Sequence, residues 1–378
     1  MEAMTAIFPT IRPALDAHVV SRRKTGNETY VVNLATALAQ RADVQPLAYV
    51  DSGVTWPLPD GPETRELNWR SSFLRIPVEL PTRARRDHCD LLHVQYVAPP
   101  IARLPLVTAI HDVSFEDVPG LFPRRTELRL KLTVRLSARR SQAVITISEF
   151  TRGRIAHHYH MDPDRIVVTP LGVGEQWRPM PKEEALARLA GLSLPASFVL
   201  AVGNLHPRKN IPRLIKSVAS ARRAGAGDIH LVLAGQRWWR MGEIDQAIEA
   251  ESATDWVRFL GYVDDDSLVA LYSAADVVAY PSLYEGFGLP VLEALACGAV
   301  VVASNTTAIP EVAGEAAILV DPTDESAIAD AIAIAITDEG RRGNLRRAAR
   351  IQSARFTWER CAELTVGAYR AALGRGRP

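Results

Sequence analysis

The sequence predicts an α/β protein made of two doubly wound domains, each a parallel sheet with helices on both faces. Short and almost continuously apolar runs alternate with helical patterns, which is typical of parallel strands buried on both sides. The 378 residues are too many for one ordinary core and suit two domains. The Pro-rich segment 175–181 divides the predicted strands into two series. The predicted domains are therefore 1–180 and 181–355.

Each series of strands consists of short apolar runs. The first series is Ala6–Phe8, Leu47–Val50, Leu91–Val94, Val107–Ile110, Val144–Ile147 and Ile166–Val168, and the second is Phe198–Val202, Ile229–Leu233, Val257–Phe259, Asp276–Tyr280, Val300–Ala303 and Ala317–Val320. Helical patterns lie between them, for example Glu28–Gln40, Ile211–Arg223 and Ser267–Ala274. Ligands of such sheets bind beyond the carboxyl ends of the strands, so we expect the domains to face each other across a ligand-binding cleft.

Composition narrows the class of protein. The chain is 47% hydrophobic and 23% charged, with a net charge of +1, so it is an ordinary globular protein and no nucleic-acid partner is expected. It shows neither a signal-peptide pattern nor a membrane-spanning apolar run. Cys89, Cys297 and Cys361 lack metal-ligand spacing and are typical of free thiols in a reducing cytosol. We expect a cytoplasmic protein without a metal.

The most informative stretch is 281–293, Pro-Ser-Leu-Tyr-Glu-Gly-Phe-Gly-Leu-Pro-Val-Leu-Glu. Glu285 lies on a glycine-interrupted loop that follows a predicted strand. Glu293 is predicted in the first turn of the helix that begins at Leu289-Pro290. Such a helix start presents N–H groups and a positive dipole end to an anion. Because both carboxylates would accept hydrogen bonds from hydroxyls, the pattern indicates a sugar attached to a phosphate. The alternative is two solvated acids.

A second candidate lies at the start of the second series of strands. Gly203 follows a strand and permits close backbone approach, and Arg208 and Lys209 precede a helix. Arginine binds phosphates bidentately and lysine acts as a compact charge, so the pair fits a diphosphate. The alternative is a solvated pair, but cations at a helix start oppose the dipole.

The first domain offers weaker signals. His111, followed by Asp112, ends a strand and is predicted to point into the cleft; the alternative is a satisfied loop histidine. Gly26 precedes an amphipathic helix and either places N–H groups near a phosphate or forms a simple turn and cap. The stretch 122–141 forms a basic amphipathic helix that could rest on an anionic membrane surface, or be a solvated outer face.

Together these residues make the sequence resemble a retaining glycosyltransferase of family 4 with the GT-B fold, from about residue 3 to 370. The most specific match is 285–293, which fits the family's Glu-x7-Glu motif. Gly203 with Arg208-Lys209 matches the family's phosphate-binding turn. The segment 111–115 resembles bacterial polysaccharide mannosyltransferases.

The resemblance implies roles for these residues. Glu285 would hold hydroxyls of the donor sugar, helped by the backbone N–H groups of Phe287 and Gly288, and Glu293 would bind the ribose. Arg208 and Lys209 would neutralise the leaving diphosphate. His111 would contact the donor sugar and the reacting centre. The remaining donor-binding positions are Gly26, Gly203, Val263 near the base, Gly286 and Leu289.

The comparison with the family adds one expected element and one departure. The segment 356–378 would be a helix that crosses back to the first, acceptor-binding domain, while the second domain binds the donor. The sequence also departs from the family near Gly26, where one glycine stands and many members have two. That departure puts the phosphate contact of Gly26 in doubt.

The predicted function is retaining transfer of a hexose, with mannose from GDP-mannose as the first choice. The acceptor would be a glycan or glycolipid in cell-surface polysaccharide synthesis. No metal or other cofactor is expected, because Arg208, Lys209 and the helix N-terminus can stabilise the departing phosphate. Two alternatives stay open: a nucleotide-sugar epimerase of similar architecture, and a non-catalytic protein that binds sugar nucleotides.

Overall fold

The computed structural model describes residues 9–20, 26–69, 74–237 and 241–375. The chain divides into two compact units. The first contains the chain up to Gly172 together with the part from Thr357, and the second contains Val173–Phe356. The Pro-rich segment 175–181 thus belongs to the second unit. The predicted fold class, two α/β domains with parallel sheets, is confirmed.

The first unit contains a seven-stranded parallel sheet in the order β3-β2-β1-β4-β5-β6-β7. Its strands are β1 Pro13–Asp16, β2 Leu47–Asp51, β3 Glu63–Leu67, β4 Leu91–Gln95, β5 Leu106–Ala109, β6 Ala143–Thr146 and β7 Ile166–Val168. Its helices up to Gly172 are α1 Gly26–Ala39, α2 Leu80–Arg86, which follows the π turn Arg75–Glu79, α3 Ser114–Asp117, α4 Arg124–Arg140 and α5 Glu149–Tyr159. Strands β5 and β6 are buried at every position, as expected for central parallel strands.

The second unit contains a six-stranded parallel sheet in the order β10-β9-β8-β11-β12-β13. Its strands are β8 Phe198–Val202, β9 His230–Ala234, β10 Val257–Gly261, β11 Val277–Tyr280, β12 Val301–Ser304 and β13 Ala317–Val320. Its helices are α6 Lys182–Arg188, α7 Ile211–Arg223, α8 Gly242–Ala250, α9 Asp265–Ala274, α10 Leu289–Ala296, α11 Ile309–Ala313, α12 Glu325–Thr337 and α13 Glu339–Ser353. The strand order reverses between β8 and β11, so the turns that follow these two adjacent strands meet at one sheet edge.

The last helix, α14 Trp358–Arg375, packs on the first unit. The Tyr369 hydroxyl lies 2.7 Å from His93 Nδ1 in β4, and Arg370 forms an ion pair with Asp43 at 2.6 Å. Gly172 lies against the backbone of Trp358, where a Cβ atom would come within 2.2 Å of the Trp358 nitrogen. The first unit is therefore built from both ends of the chain.

Two strands, β1 and β3, were not predicted. β1 begins with proline and ends with aspartate, and β3 is an edge strand of sequence Glu-Thr-Arg-Glu-Leu, so neither shows the apolar run of a buried strand. The predicted strand Ala6–Phe8 lies outside the described residues. The other predicted strands are present, with ends shifted by a residue or two.

Candidate active site

The turn after β8 places two cations at the carboxyl end of that strand, in the middle of the second sheet. Gly203 has φ +126°, and a Cβ atom there would lie 3.2 Å from Lys209 Cε, so glycine suits both the backbone and the space. Pro207–Lys209 form a single 3₁₀ turn, and α7 begins after Asn210. The Asn210 amide donates to the carbonyl oxygens of Pro281 (3.1 Å) and Pro322 (2.7 Å). This fixes the turn against the loop that follows β11.

Glu285 lies between the two cations. Arg208 Nη1 is 2.5 Å from Glu285 Oε2, and Lys209 Nζ is 2.7 Å from Glu285 Oε1. The Tyr280 hydroxyl donates to Glu285 Oε1 at 3.0 Å and accepts a hydrogen bond from Lys209. Arg208 also donates to the carbonyl oxygen of Tyr284 at 3.1 Å. The structure thus brings together Arg208, Lys209 and Glu285, as the sequence predicts.

Burial and charge shift the pKa values of this group. Burial would raise the pKa of Glu285, but the positive charges of Arg208 and Lys209 outweigh it and lower that pKa to about 2. Burial, with the charge of Arg208, lowers the pKa of Lys209 to about 8 even though Glu285 opposes the shift. At neutral pH two cations therefore surround one carboxylate, and the excess positive charge can attract an anion.

The loop between Glu285 and α10, residues 285–288, packs against the segment that contains Thr307 and Ile309. Its Glu285 backbone N–H donates to Thr307 Oγ1 at 3.3 Å. Gly288 has φ +106°, and a Cβ atom there would lie 2.5 Å from Ile309 Cδ1. Gly286 and Phe287 are buried beside it, and Leu289, half-buried, begins α10. The loop therefore presents the N-terminus of α10, where the N–H groups of Gly288 and Leu289 have no intrahelical acceptor, whereas those of Val291 and Leu292 donate to the Gly288 carbonyl.

Glu293 lies in the second turn of α10, so the prediction that it occupies the first turn is wrong. The helix begins at Leu289, with Pro290 as its second residue, and Glu293 is the fifth. The Glu293 carboxyl accepts a hydrogen bond from the Tyr272 hydroxyl at 3.1 Å. Burial raises the pKa of Glu293 to about 8, so the carboxyl is mostly protonated at neutral pH.

Two other predicted positions are Val263 in the second unit and Gly26 in the first. Val263 is half-buried in the loop between β10 and α9, next to the exposed Tyr262. Gly26 is the first residue of α1, and a Cβ atom there would meet no atom of the described residues within 4 Å. The described residues therefore give no steric reason for glycine at position 26.

His111 lies just beyond the carboxyl end of β5, an inner strand of the first sheet, and is 6% exposed. Its Nδ1 atom lies 2.9 Å from Asn27 Oδ1, and the Tyr30 ring packs edge-on against it with the centroids 4.4 Å apart. Burial, with the neighbouring His93, lowers the pKa of His111 to about 3. The imidazole is therefore neutral at physiological pH.

Several side chains with clear contacts were not found from the sequence. Tyr272 stands 21 positions before its partner Glu293, and Tyr280 stands 71 positions after its partner Lys209, at the end of an apolar strand. No sequence motif includes either hydroxyl group. Asn27 stands 84 positions before His111. Only the placement of Tyr280 at the carboxyl end of β11 could have indicated a site residue.

The basic helix predicted at 122–141 is α4, and it exposes an apolar stripe. Leu128, Leu132 and Leu136 are 70%, 60% and 52% exposed and recur every four residues, on one face of the helix. Exposed arginines accompany them at positions 124, 125, 129, 139 and 140. The buried side of α4 packs through Val134, Ser137 and Ala138.

Two features are absent from the described ranges, 9–20, 26–69, 74–237 and 241–375. Those ranges contain no group of three or more His, Cys, Asp or Glu side chains placed to hold a metal ion. Within the same part of the chain, no helix combines the length and the apolar character needed to cross a bilayer.

Comparison with known proteins identifies the family. Residues 190–352 match the family described as "Glycosyl transferases group 1", and residues 25–176 match "Glycosyltransferase Family 4". O-antigen chain mannosyltransferase B of Escherichia coli is 35% identical over 265 residues, which cover 70% of each protein. The chain belongs to glycosyltransferase family 4. It is a glycosyltransferase, and the resemblance predicted from its motifs is confirmed.

Other matches agree with this assignment. The serotype-specific mannosyltransferase WbdA of Escherichia coli is 31% identical over 242 residues, which cover 62% of this chain but only 29% of WbdA. The crystal structure of Anabaena HepE in complex with UDP-glucose has a TM-score of 0.77 at 20% identity, covering 96% of this chain and all of that one. The fold of this glycosyltransferase is GT-B.

Proposed function

We propose that this glycosyltransferase transfers a hexose from a nucleotide sugar to a glycan or glycolipid acceptor with retention of configuration. The first choice is mannose from GDP-mannose, in the synthesis of a cell-surface polysaccharide. Two relatives described above are named mannosyltransferases, one of them of the O-antigen chain. The epimerase and the binding-protein alternatives are not favoured, because these matches are to transferases.

The observation that carries the proposal is the contact of Glu285 with both Arg208 and Lys209. A carboxylate held this way is ionised and would accept hydrogen bonds from sugar hydroxyls, while the two cations would bind a diphosphate. Charges 4 Å apart interact by about 4 kcal/mol at an effective dielectric of 20, against about 1 kcal/mol in water. The burial of Lys209 and Glu285 therefore makes their charges effective.

The proposed roles follow from this arrangement. Arg208 and Lys209 stabilise the departing nucleoside diphosphate, whose negative charge grows as the bond to the anomeric carbon weakens. Glu285 holds the sugar, with the backbone N–H groups of Phe287 and Gly288. Glu293 accepts hydrogen bonds from the ribose. The other proposed donor-binding positions are Gly26, Gly203, Val263, Gly286 and Leu289, and His111 is the proposed sugar contact from the first unit.

A thermal-shift screen tests the donor. Ligands that bind the native state raise the apparent melting temperature. GDP-, UDP- and ADP-sugars should therefore raise it by different amounts, with GDP-mannose giving the largest rise. The selected donor is then incubated with and without an acceptor glycan. Formation of an epimer without acceptor would contradict transfer, and a donor that binds but never releases its diphosphate would support the binding-protein alternative.

We further propose that α4 rests on an anionic membrane surface, and that the enzyme works on the cytoplasmic side of a membrane. The exposed stripe of Leu128, Leu132 and Leu136 would enter the headgroup region, and the adjacent arginines would contact anionic lipids. Basic residues near such a surface contribute about 1 kcal/mol each. This contact would bring the enzyme to a lipid-linked acceptor.

Vesicle co-sedimentation tests the membrane contact. Vesicles with phosphatidylglycerol should retain the protein at low salt, and phosphatidylcholine vesicles should retain less. Arg125→Glu with Arg129→Glu should abolish binding, whereas the charge-matched control Arg346→Glu with Arg347→Glu, on the exposed side of α13, should not. No binding to the anionic vesicles would leave α4 as a solvated face.

A further inference from the structure

The side chain of His111 is fixed on three sides. Asn27 contacts its Nδ1 atom at 2.9 Å. The Tyr30 and Tyr96 rings pack edge-on against the imidazole, with centroids 4.4 Å and 5.6 Å away. Tyr96 also has φ +56°, a left-handed conformation that non-glycine residues adopt at some cost and that is enriched at functional sites. The imidazole therefore has one orientation.

The two ring nitrogens of His111 have different surroundings. A neutral imidazole carries one N–H group. The contact of Nδ1 with the Asn27 carbonyl oxygen requires that group on Nδ1, because an amide oxygen only accepts. Nε2 then carries a lone pair. It is buried and has no hydrogen-bond partner among the described residues, which is costly unless a ligand donates to it.

We propose that Asn27 is a positioning residue that holds His111 in the Nδ1–H tautomer, so that Nε2 accepts a hydrogen bond from a sugar hydroxyl. Only the identity of the ligand rests on the proposed function. An ionised phosphate cannot take this place, because its oxygens have no hydrogen to donate. The sugar is that of the donor or that of the acceptor, and both present the same group. The chemistry thus assigns this corner of the first unit to sugar rather than to diphosphate.

Nitrogen-15 NMR tests the tautomer without any substrate. The protein is labelled in its histidines, and the His111 signals are assigned by their loss in His111→Asn. We expect a pyrrole-type Nδ1 and a pyridine-type Nε2 in the wild type, and a tautomer mixture in Asn27→Ala. Asn33→Ala is the matched control, because Asn33 lies on the same helix and its amide donates to the Thr29 carbonyl. A wild-type spectrum with the proton on Nε2, or no change in Asn27→Ala, would overturn the proposal.

Two ligand titrations test the acceptor role of Nε2. GDP-mannose represents the donor sugar, and methyl α-mannoside represents an acceptor sugar. The Nε2 resonance should move in one titration, which identifies the source of the hydroxyl. If neither sugar moves it, the ligand part of the proposal is wrong. If GDP-mannose does not bind but the mannoside moves Nε2, the proposed donor fails while the role of Asn27 stands.

Activity gives a further readout. Loss of one neutral hydrogen bond corresponds to about a three- to tenfold change in an equilibrium or rate constant. We expect Asn27→Ala to lower kcat/KM by about that factor and Asn27→Asp, which keeps the acceptor oxygen, to restore the Nδ1–H tautomer. Wild-type kinetics in Asn27→Ala, together with a changed tautomer, would show that Nε2 does not act on the reacting sugar.

Discussion

Donor binding is expected to move protons, and the direction should reverse near pH 8. Burial gives Glu293 a pKa of about 8, so at pH 7 about 0.9 of the molecules carry a proton there. Ribose hydroxyls need an acceptor, so binding should favour the carboxylate and release that proton. Burial gives Lys209 a pKa of about 8 as well. A diphosphate favours its charged form, but at pH 7 only about 0.1 proton remains to be taken up.

The net result at pH 7 is release of about 0.8 proton per donor bound. At pH 9 the fractions are exchanged. Glu293 is then already ionised in about 0.9 of the molecules, and Lys209 is protonated in only about 0.1. Binding should therefore take up about 0.8 proton. His206 does not interfere, since burial and the charges of Arg208 and Lys209 lower its pKa to about 4.

Calorimetry in buffers of different ionisation enthalpy measures this exchange. The slope of the observed binding enthalpy against buffer ionisation enthalpy gives the number of protons exchanged. Glu293→Gln should abolish the release at pH 7, and Lys209→Arg, which keeps the charge but does not titrate, should abolish the uptake at pH 9. A slope near zero in the wild type at pH 7, or an unchanged slope in Glu293→Gln, would refute the assigned protonation states.

Further predictions concern single residues of the second unit. Lys209→Ala should lower turnover more than tenfold, because a preorganised charge on the leaving diphosphate is lost; an unchanged kcat/KM would contradict that role. Tyr280→Phe should raise the donor KM by about three- to tenfold through loss of hydrogen bonds to Lys209 and Glu285, as steady-state kinetics will show. Gly288→Ala should cost about 1–2 kcal/mol of left-handed strain and lower Tm by several degrees, whereas Gly242→Ala, where a Cβ atom meets no atom of the described residues within 4 Å, should not. Burial raises the pKa of Glu293 from its ordinary 4.5 to about 8 in the folded protein. The stability that its protonated form confers is therefore complete below pH 4.5 and is lost as pH rises through about 8. Without ligand, Glu293→Gln should show a smaller fall in Tm between pH 6 and pH 9 than the wild type.

The parts of the fold that were predicted are those with a local signal. Continuous apolar runs predicted strands such as β8 and β12, and the helical pattern Ile211–Arg223 predicted α7. β1 and β3 lack such a run, because β1 has only Ala14 and Leu15 between a proline and an aspartate, and β3 is a polar edge strand. A strand of this kind is defined by its neighbours in the sheet rather than by its own residues.

The same division holds for the site. The spacing of Glu285 and Glu293 and the Arg208-Lys209 pair could be predicted because each lies within one short segment. The contacts of Tyr272 with Glu293 and of Asn27 with His111 join separate elements. Sequence alone also placed Glu293 in the first turn of α10, whereas it is the first residue of the second turn. The pKa values depend on burial, which is a property of the folded chain.

The return of α14 to the first unit has a consequence for biosynthesis. A ribosome makes about 5–20 residues per second, so the N-terminal sheet must wait while all of Val173–Phe356 is made before its last helix appears. Until then, the faces that later receive Tyr369 and Cys361, which are buried in the finished protein, have no cover. Nascent chains should therefore need protection by chaperones at this stage, and a chain that stops before Trp358 should lose stability in the first unit rather than in the second.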